Sequence, residues 1–127
     1  MRTIYQIKAL PERGVIITIE GTLIRLLFDF EKVTVTGDDK PSSDDLYYCE
    51  SIDVEGQTYG HIIGAIVNDR YPTNEKDAIM ANYELVKDGS CSEEKSSEYL
   101  QEYQDLQAWR AHAKDIAKIV ISEIGNK

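Results

Sequence analysis

The chain has 127 residues and a mass of 14.4 kDa, which fits one domain of ordinary size and argues against a second independent core. Hydrophobic residues make up 42% of it and charged residues 29%, which excludes disordered and fibrous classes. The formal charge of -9 repels phosphate backbones and anionic lipids, so neither nucleic acid nor a membrane surface is expected as the main partner.

The N-terminal residues lack the apolar segment of a secretory signal, and no stretch approaches the roughly 20 apolar residues of a membrane span. A cytoplasmic protein is therefore expected. Cys49 and Cys91 are the only cysteines, there is no CxxC motif, and just two histidines occur, so neither structural zinc nor a disulfide framework is predicted. No GxxxxGK(S/T) or GxGxxG motif for nucleotide phosphates occurs, and no cofactor is predicted. One disulfide between the two cysteines remains open, although two reduced thiols are the expectation in the cytoplasm.

The first half of the sequence shows the patterns of β-strands. Apolar side chains alternate, or β-branched residues run together, in five segments: 3–9, 15–19, 23–30, 33–36 and 46–54. Glu20 and Gly21 separate the second segment from the third and predict a tight hairpin there. Because the strands follow one another without long crossovers, an antiparallel meander of four to five strands is predicted.

The second half changes to a helical period. Thr58 is a candidate N-cap for a first helix that stops before Pro72, and a second short helix begins at Thr73 or Asn74. Ser90, followed three residues later by a glutamate, predicts the start of a third helix over 92–124. At ~1.5 Å per residue, that helix would be about 48 Å long, more than a small sheet needs for cover.

These patterns together predict one α+β domain with a sheet half over 1–56 and a helical half over 57–127. The long C-terminal helix carries an apolar and aromatic stripe suited to packing against another helix. Its length relative to the sheet favours an interface with another chain, made by Tyr99, Tyr103, Leu106, Trp109, Arg110, Ile116 and Val120. On that basis, replacing Trp109 with alanine should weaken association by about 2 kcal/mol.

Two other classes of function remain open from the residues. A small hydrolase or transferase could use carboxylates and a tyrosine in a cleft between sheet and helices, with Glu50, Asp53 and His61 as candidates. A cation-binding module could use the oxygen ligands of the aspartate-rich loop from Asp38 to Asp45. That loop lacks the ligand spacing of an EF-hand, and repulsion among its carboxylates favours a solvated loop.

Two groups of residues in the helical half form a pattern that resembles small proteins of bacteriophage and prophage tail modules. The first group is Asn68, Asp69, Arg70, Tyr71, Ala78, Ile79, Asn82 and Tyr83. The second is Glu98, Tyr99, Tyr103, Trp109, Arg110, Ala113 and Lys114. The resemblance covers roughly residues 65–118 and implies a structural or assembly role without catalysis, in the virion if the protein is phage-derived.

The preferred hypothesis is therefore a non-enzymatic structural or assembly protein that acts through its long C-terminal helix. Its partner would be another protein or a second copy of the chain.

Overall fold

The computed structural model describes residues 1–33 and 45–125, which form four strands and three helices. The elements are β1 (Arg2–Gln6), β2 (Val15–Glu20), β3 (Leu23–Lys32), β4 (Leu46–Glu55), α1 (Tyr59–Arg70), α2 (Thr73–Lys87) and α3 (Glu93–Gly125). The predicted α+β class is confirmed, with an antiparallel sheet followed by two shorter helices and one long one.

The sheet has the order β1-β4-β3-β2, and every neighbouring pair is antiparallel. Strands β2, β3 and β4 form a meander, whereas β1 lies beside β4 at the edge opposite β2. The strand segment expected at 33–36 extends beyond the described residues; Val33, the part that is described, follows β3 and is not in a strand.

The β2–β3 hairpin turns on Gly21 and Thr22, because Glu20 is already paired with Leu23. Gly21 has φ +62°, a left-handed conformation that glycine adopts without steric cost. The turn is therefore a two-residue turn as predicted, displaced by one position along the chain.

Helices α1 and α3 cover one face of the sheet. Side chains at alternate positions of β3 and β4, including Ile24, Leu26, Phe28, Ile52 and Val54, point toward them and are buried. Ile62 and Ile66 of α1 and the second half of α3 complete the same cluster. The core thus lies between the sheet and these two helices.

Hydroxyl side chains cap the N-termini of two of the helices. The Thr58 Oγ1 accepts a hydrogen bond from the backbone N–H of His61 at 3.2 Å, which satisfies a donor at the start of α1 as predicted. The Ser92 Oγ accepts one from the N–H of Lys95 at 3.2 Å, so Ser92 rather than Ser90 caps α3. Helix α2 begins directly after Pro72, which has no N–H to satisfy.

Candidate functional site

The central part of the predicted interface stripe is inside the chain's own core. Leu106, Trp109, Ile116 and Val120 are all buried against the sheet and α1. Trp109 is 7% exposed, and its indole N–H donates to the Ile66 carbonyl at 3.2 Å. The prediction that these four residues contact another chain is therefore wrong, because the sheet and α1 already cover that side of α3.

The three other predicted interface residues lie nearer the surface. The Tyr103 ring stacks on Tyr83 of α2, with ring centroids 3.7 Å apart and planes within 5°. Tyr99 is half-buried, with the Lys95 ammonium 5.9 Å from its ring centroid, and Arg110 is exposed. The first half of α3 is thus the part that remains available to a partner.

Helix α2 and the first part of α3 form a helical arm, residues 73–105. The body, by contrast, is the sheet together with α1 and the rest of α3. The substantial packing of α2 is against α3, and Ile79 is its one buried residue among the described side chains. In α3 the buried residues begin at Leu106, so none of the arm's thirteen α3 residues, 93–105, is buried. The arm therefore contributes little to the core that holds the sheet.

The arm carries most of the protein's net charge. Residues 73–105 contain nine acidic and three basic side chains, a net charge of -6 out of the chain's -9. Three of its large hydrophobic residues are also exposed to solvent: Met80, Leu85 and Leu100. An acidic surface with exposed apolar side chains is suited to a basic, amphipathic partner.

A second group of side chains, the Glu50 cluster, joins the start of the chain to α1: Met1, Arg2, Glu50, Asp69 and Arg70. Glu50 is 3% exposed and lies on the helix-facing side of β4. The Met1 amine is 3.8 Å from its carboxylate, and the Arg2 and Arg70 guanidiniums are each at 3.6 Å. The amine also pairs with Asp69. These groups compensate a buried charge that alone would cost several kcal/mol, so the cluster fastens β1 and β4 to α1.

Arg70 connects this cluster to the core tryptophan. Its guanidinium carbon lies 3.5 Å from the ring centroid of Trp109, a cation–π contact that shields one face of the indole. On another side, the Phe28 ring packs at 6.3 Å between centroids. Trp109 is thus held by a hydrogen bond, a cation and an aromatic ring from α1 and β3.

Asp29 and His112 form a carboxylate–imidazole pair between β3 and α3. The His112 Nε2 lies 2.7 and 3.0 Å from the two Asp29 oxygens. Asp29 has φ +58°, in a bulge where the β3–β4 register shifts. Such a pair can move a proton, but among the described residues that line the adjacent groove none carries a hydroxyl or thiol nucleophile. Within that part of the chain, the pair ties the bulge to α3.

The enzyme hypothesis named three residues that the structure keeps apart. Glu50 faces the helices, whereas Asp53 points to the opposite side of β4 and accepts a 2.8 Å hydrogen bond from Arg25. That bond lowers the pKa of Asp53. The His61 Nδ1 lies 2.6 Å from the Thr58 hydroxyl, and its ring packs so closely on Gly56 that an added Cβ would lie 2.8 Å from it. Within the described residues, Glu50, Asp53 and His61 thus make separate contacts.

The aspartate loop lies almost wholly outside the described residues. Asp45, its described end, accepts a 2.7 Å hydrogen bond from the Ile7 N–H through its backbone carbonyl. In residues 1–33 and 45–125, no group of three carboxylate, thiol or imidazole side chains could hold a metal ion. No helix in those ranges is long and apolar enough to cross a membrane. Cation binding by Asp38 to Asp45 stays a prediction.

Of two polar features of the structure, the Glu50 cluster is marked in the sequence and the Asp29–His112 pair is not. The alternating apolar residues of β4 are interrupted at Glu50, where an inward-facing position holds a carboxylate. Such an interruption indicates a buried charge that must find cations elsewhere in the chain. The Asp29–His112 pair spans 83 residues and has no comparable local signal.

No protein-family model, curated protein or solved structure matches this chain.

Proposed function

We propose that this protein is a non-enzymatic assembly protein whose acidic helical arm binds a partner protein with a basic, amphipathic surface. The observation that carries the proposal is that the arm holds most of the net charge but almost none of the buried side chains. Residues 73–105 hold a net charge of -6, yet the described arm has one buried side chain, Ile79. A helical pair with so little burial owes its stability to the rest of the chain or to a partner.

The charge of the arm selects the chemistry of that partner. A second copy of the same arm would bring two acidic surfaces together, and like charges across an interface cost several kcal/mol. A basic surface gains from the same field, which also speeds its approach. Exposed Met80, Leu85 and Leu100 supply apolar area that charge alone does not provide. The phage tail-module resemblance over roughly 65–118, a range that includes the whole arm, is in keeping with an assembly role.

A labelled model peptide tests this proposal. The probe is an amphipathic helical peptide with lysines on one face and leucines on the other, and its binding is followed by fluorescence anisotropy at low and high salt. We expect binding that weakens as salt rises. Neutralising two arm carboxylates, in the variant E98Q/E102Q, should raise the dissociation constant about tenfold, which corresponds to ~0.7 kcal/mol for each removed charge.

The matched control removes two carboxylates from the sheet. Glu20 and Glu55 are exposed at the far end of the hairpin, so E20Q/E55Q makes the same change in net charge outside the arm. The control should bind the peptide almost as tightly as the unmodified protein. Equal losses in the two variants would mean that overall charge, and not the arm, attracts the peptide. No binding at low salt would contradict the proposed partner chemistry.

A further inference from the structure

The second half of α3 is covered on its core side, but its outer side carries three exposed basic residues, the basic stripe: Arg110, Lys114 and Lys118. Like charges four residues apart on a helix repel each other, so the stripe destabilises α3 slightly when nothing neutralises it. Within residues 1–33 and 45–125, none of the three forms an ion pair, whereas each of the other four arginines does. The stripe is therefore suited to an acidic partner.

The outer side of α2 carries a complementary set of exposed acidic residues, the acidic row: Asp77, Glu84 and Asp88. Spacings of seven and four residues place them on one side of the helix. That side points away from α3, because α2 turns the opposite one, with buried Ile79 and stacked Tyr83, toward it. Glu84 pairs with Lys87 at 3.1 Å, whereas Asp77 and Asp88 have no ion pair among the described residues. The row thus keeps most of its charge available to a partner.

The acidic row and the basic stripe face the same side of the molecule. Helix α2 lies on the side of α3 that bears Tyr103, and the acidic row points outward from there. Arg110 and Lys114 follow Tyr103 by seven and eleven residues, spacings that keep them on that side of the helix. One chain cannot bring the two surfaces together, because α2 is packed on the first half of α3 and the stripe is on its second half. Their contact needs a second copy.

We propose that the acidic row of one copy binds the basic stripe of a second copy, with the two α3 helices antiparallel and related by a two-fold axis. This inference rests on the proposed function, because it identifies the basic partner of the arm as the chain itself. Since both surfaces face the same side, antiparallel pairing makes the contact between row and stripe twice in one dimer. The two acidic arms lie at opposite ends of that dimer and do not meet.

Apolar side chains accompany both surfaces. Met80 is 39% exposed and lies four residues before Glu84, beside the acidic row. Ile121 is half-buried and follows Lys114 by seven residues, so it lies in line with the basic stripe. The stripe therefore has the basic and amphipathic character that suits the surface of the arm.

The net charge of -9 on each copy opposes self-association at long range. At an ionic strength of about 0.1 M the Debye length is ~10 Å, so charges on the far sides of two copies are largely screened from each other. Oppositely charged side chains that touch across the interface are much closer than this length and keep more of their attraction. Association is therefore expected at moderate salt and should weaken at about 1 M, where the Debye length falls to ~3 Å.

Sedimentation velocity at about 0.1 M salt, over a concentration series reaching about 0.5 mM, tests the pairing. The variant K114E/K118E reverses two charges of the stripe. It should raise the dimer dissociation constant about 30-fold, because four pairs in the two contacts become repulsive and each is worth about two- to threefold. The matched control K8E/K32E makes the same change in net charge at two exposed lysines of the sheet half, and should shift the constant less than about threefold.

A charge swap shows whether the row and the stripe meet. The variant D77K/D88K reverses the acidic row and should also weaken the dimer about 30-fold. Combining D77K/D88K with K114E/K118E should return the dissociation constant to within about threefold of the unmodified chain, because every contact between row and stripe is attractive again. Regained association also shows that the substituted chains fold.

Four results would overturn the inference: a chain that stays monomeric throughout, a dimer that K114E/K118E leaves intact, a combined variant that does not regain association, or growth beyond a dimer. The lysine and leucine peptide described above should compete with the second copy and dissociate the dimer. Binding of that peptide to a chain that never dimerises would overturn this inference and leave the proposed function standing.

Discussion

Replacing Trp109 with alanine separates a core role from an interface role for the only tryptophan in the chain. The ring is 7% exposed, donates to the Ile66 carbonyl, and lies under the Arg70 guanidinium. Removing a buried tryptophan costs about 3–5 kcal/mol. The hydrogen bond and the cation–π contact, each ~1 kcal/mol, place this site toward the upper end of that range. We therefore expect the free energy of unfolding to fall by about 4–5 kcal/mol.

Urea denaturation followed by far-ultraviolet circular dichroism measures this loss, because the helical signal does not depend on the tryptophan. Trp109→Phe keeps an aromatic ring near Phe28 but loses the N–H donor, and should cost about 1–2 kcal/mol. Leu100→Ala is the control on an exposed position of the same helix and should stay within about 0.5 kcal/mol. A W109A loss below about 1.5 kcal/mol, together with weakened self-association, would refute the core assignment and restore the interface prediction.

Three further predictions concern the sheet and the thiols. Asp29→Val should cost about 2 kcal/mol more than Asp29→Gly in urea denaturation, because both lose the carboxylate but a β-branched residue is also strained at φ +58°; equal losses would contradict this. Burial raises the pKa of the Cys49 thiol, so a thiol reagent at mildly alkaline pH should label the more accessible Cys91 quickly and Cys49 only on unfolding; equal labelling rates in the folded protein would argue against it. The hydrogen bond from Arg25 lowers the pKa of Asp53, so its stabilising effect should be complete above about pH 5 and disappear as the pH falls through the folded-state pKa; a stability difference from Asp53→Asn that does not change with pH would exclude it.

The sequence predicted the fold class because periodicity reports which side of a strand or helix is buried. The two-residue alternation in β4 and the three- and four-residue spacing in α3 are local signals, and both elements appear within one or two residues of the predicted bounds. The hydroxyl at Thr58 likewise marked the start of α1. Strand order was beyond this reasoning, because nothing local places β1 beside β4.

The interface prediction failed at Leu106, Trp109, Ile116 and Val120 for a related reason. An apolar stripe shows that one side of a helix is buried but not what buries it. The length of α3 suggested a second chain, whereas the sheet and α1 cover that side from Leu106 onward. The part of α3 that the sheet does not cover is its N-terminal part, residues 93–105. In the sequence this part is marked by its acidic residues rather than by apolar periodicity.

Because α3 belongs to both the core and the arm, it also acts as a rigid spacer. Its 33 residues extend about 50 Å at ~1.5 Å per residue, and no proline or glycine interrupts it between Glu93 and Ile124. A partner bound to the N-terminal end of α3 would be held at a fixed distance and angle from the sheet. Because the helix is already ordered, binding there would cost little conformational entropy within the arm itself.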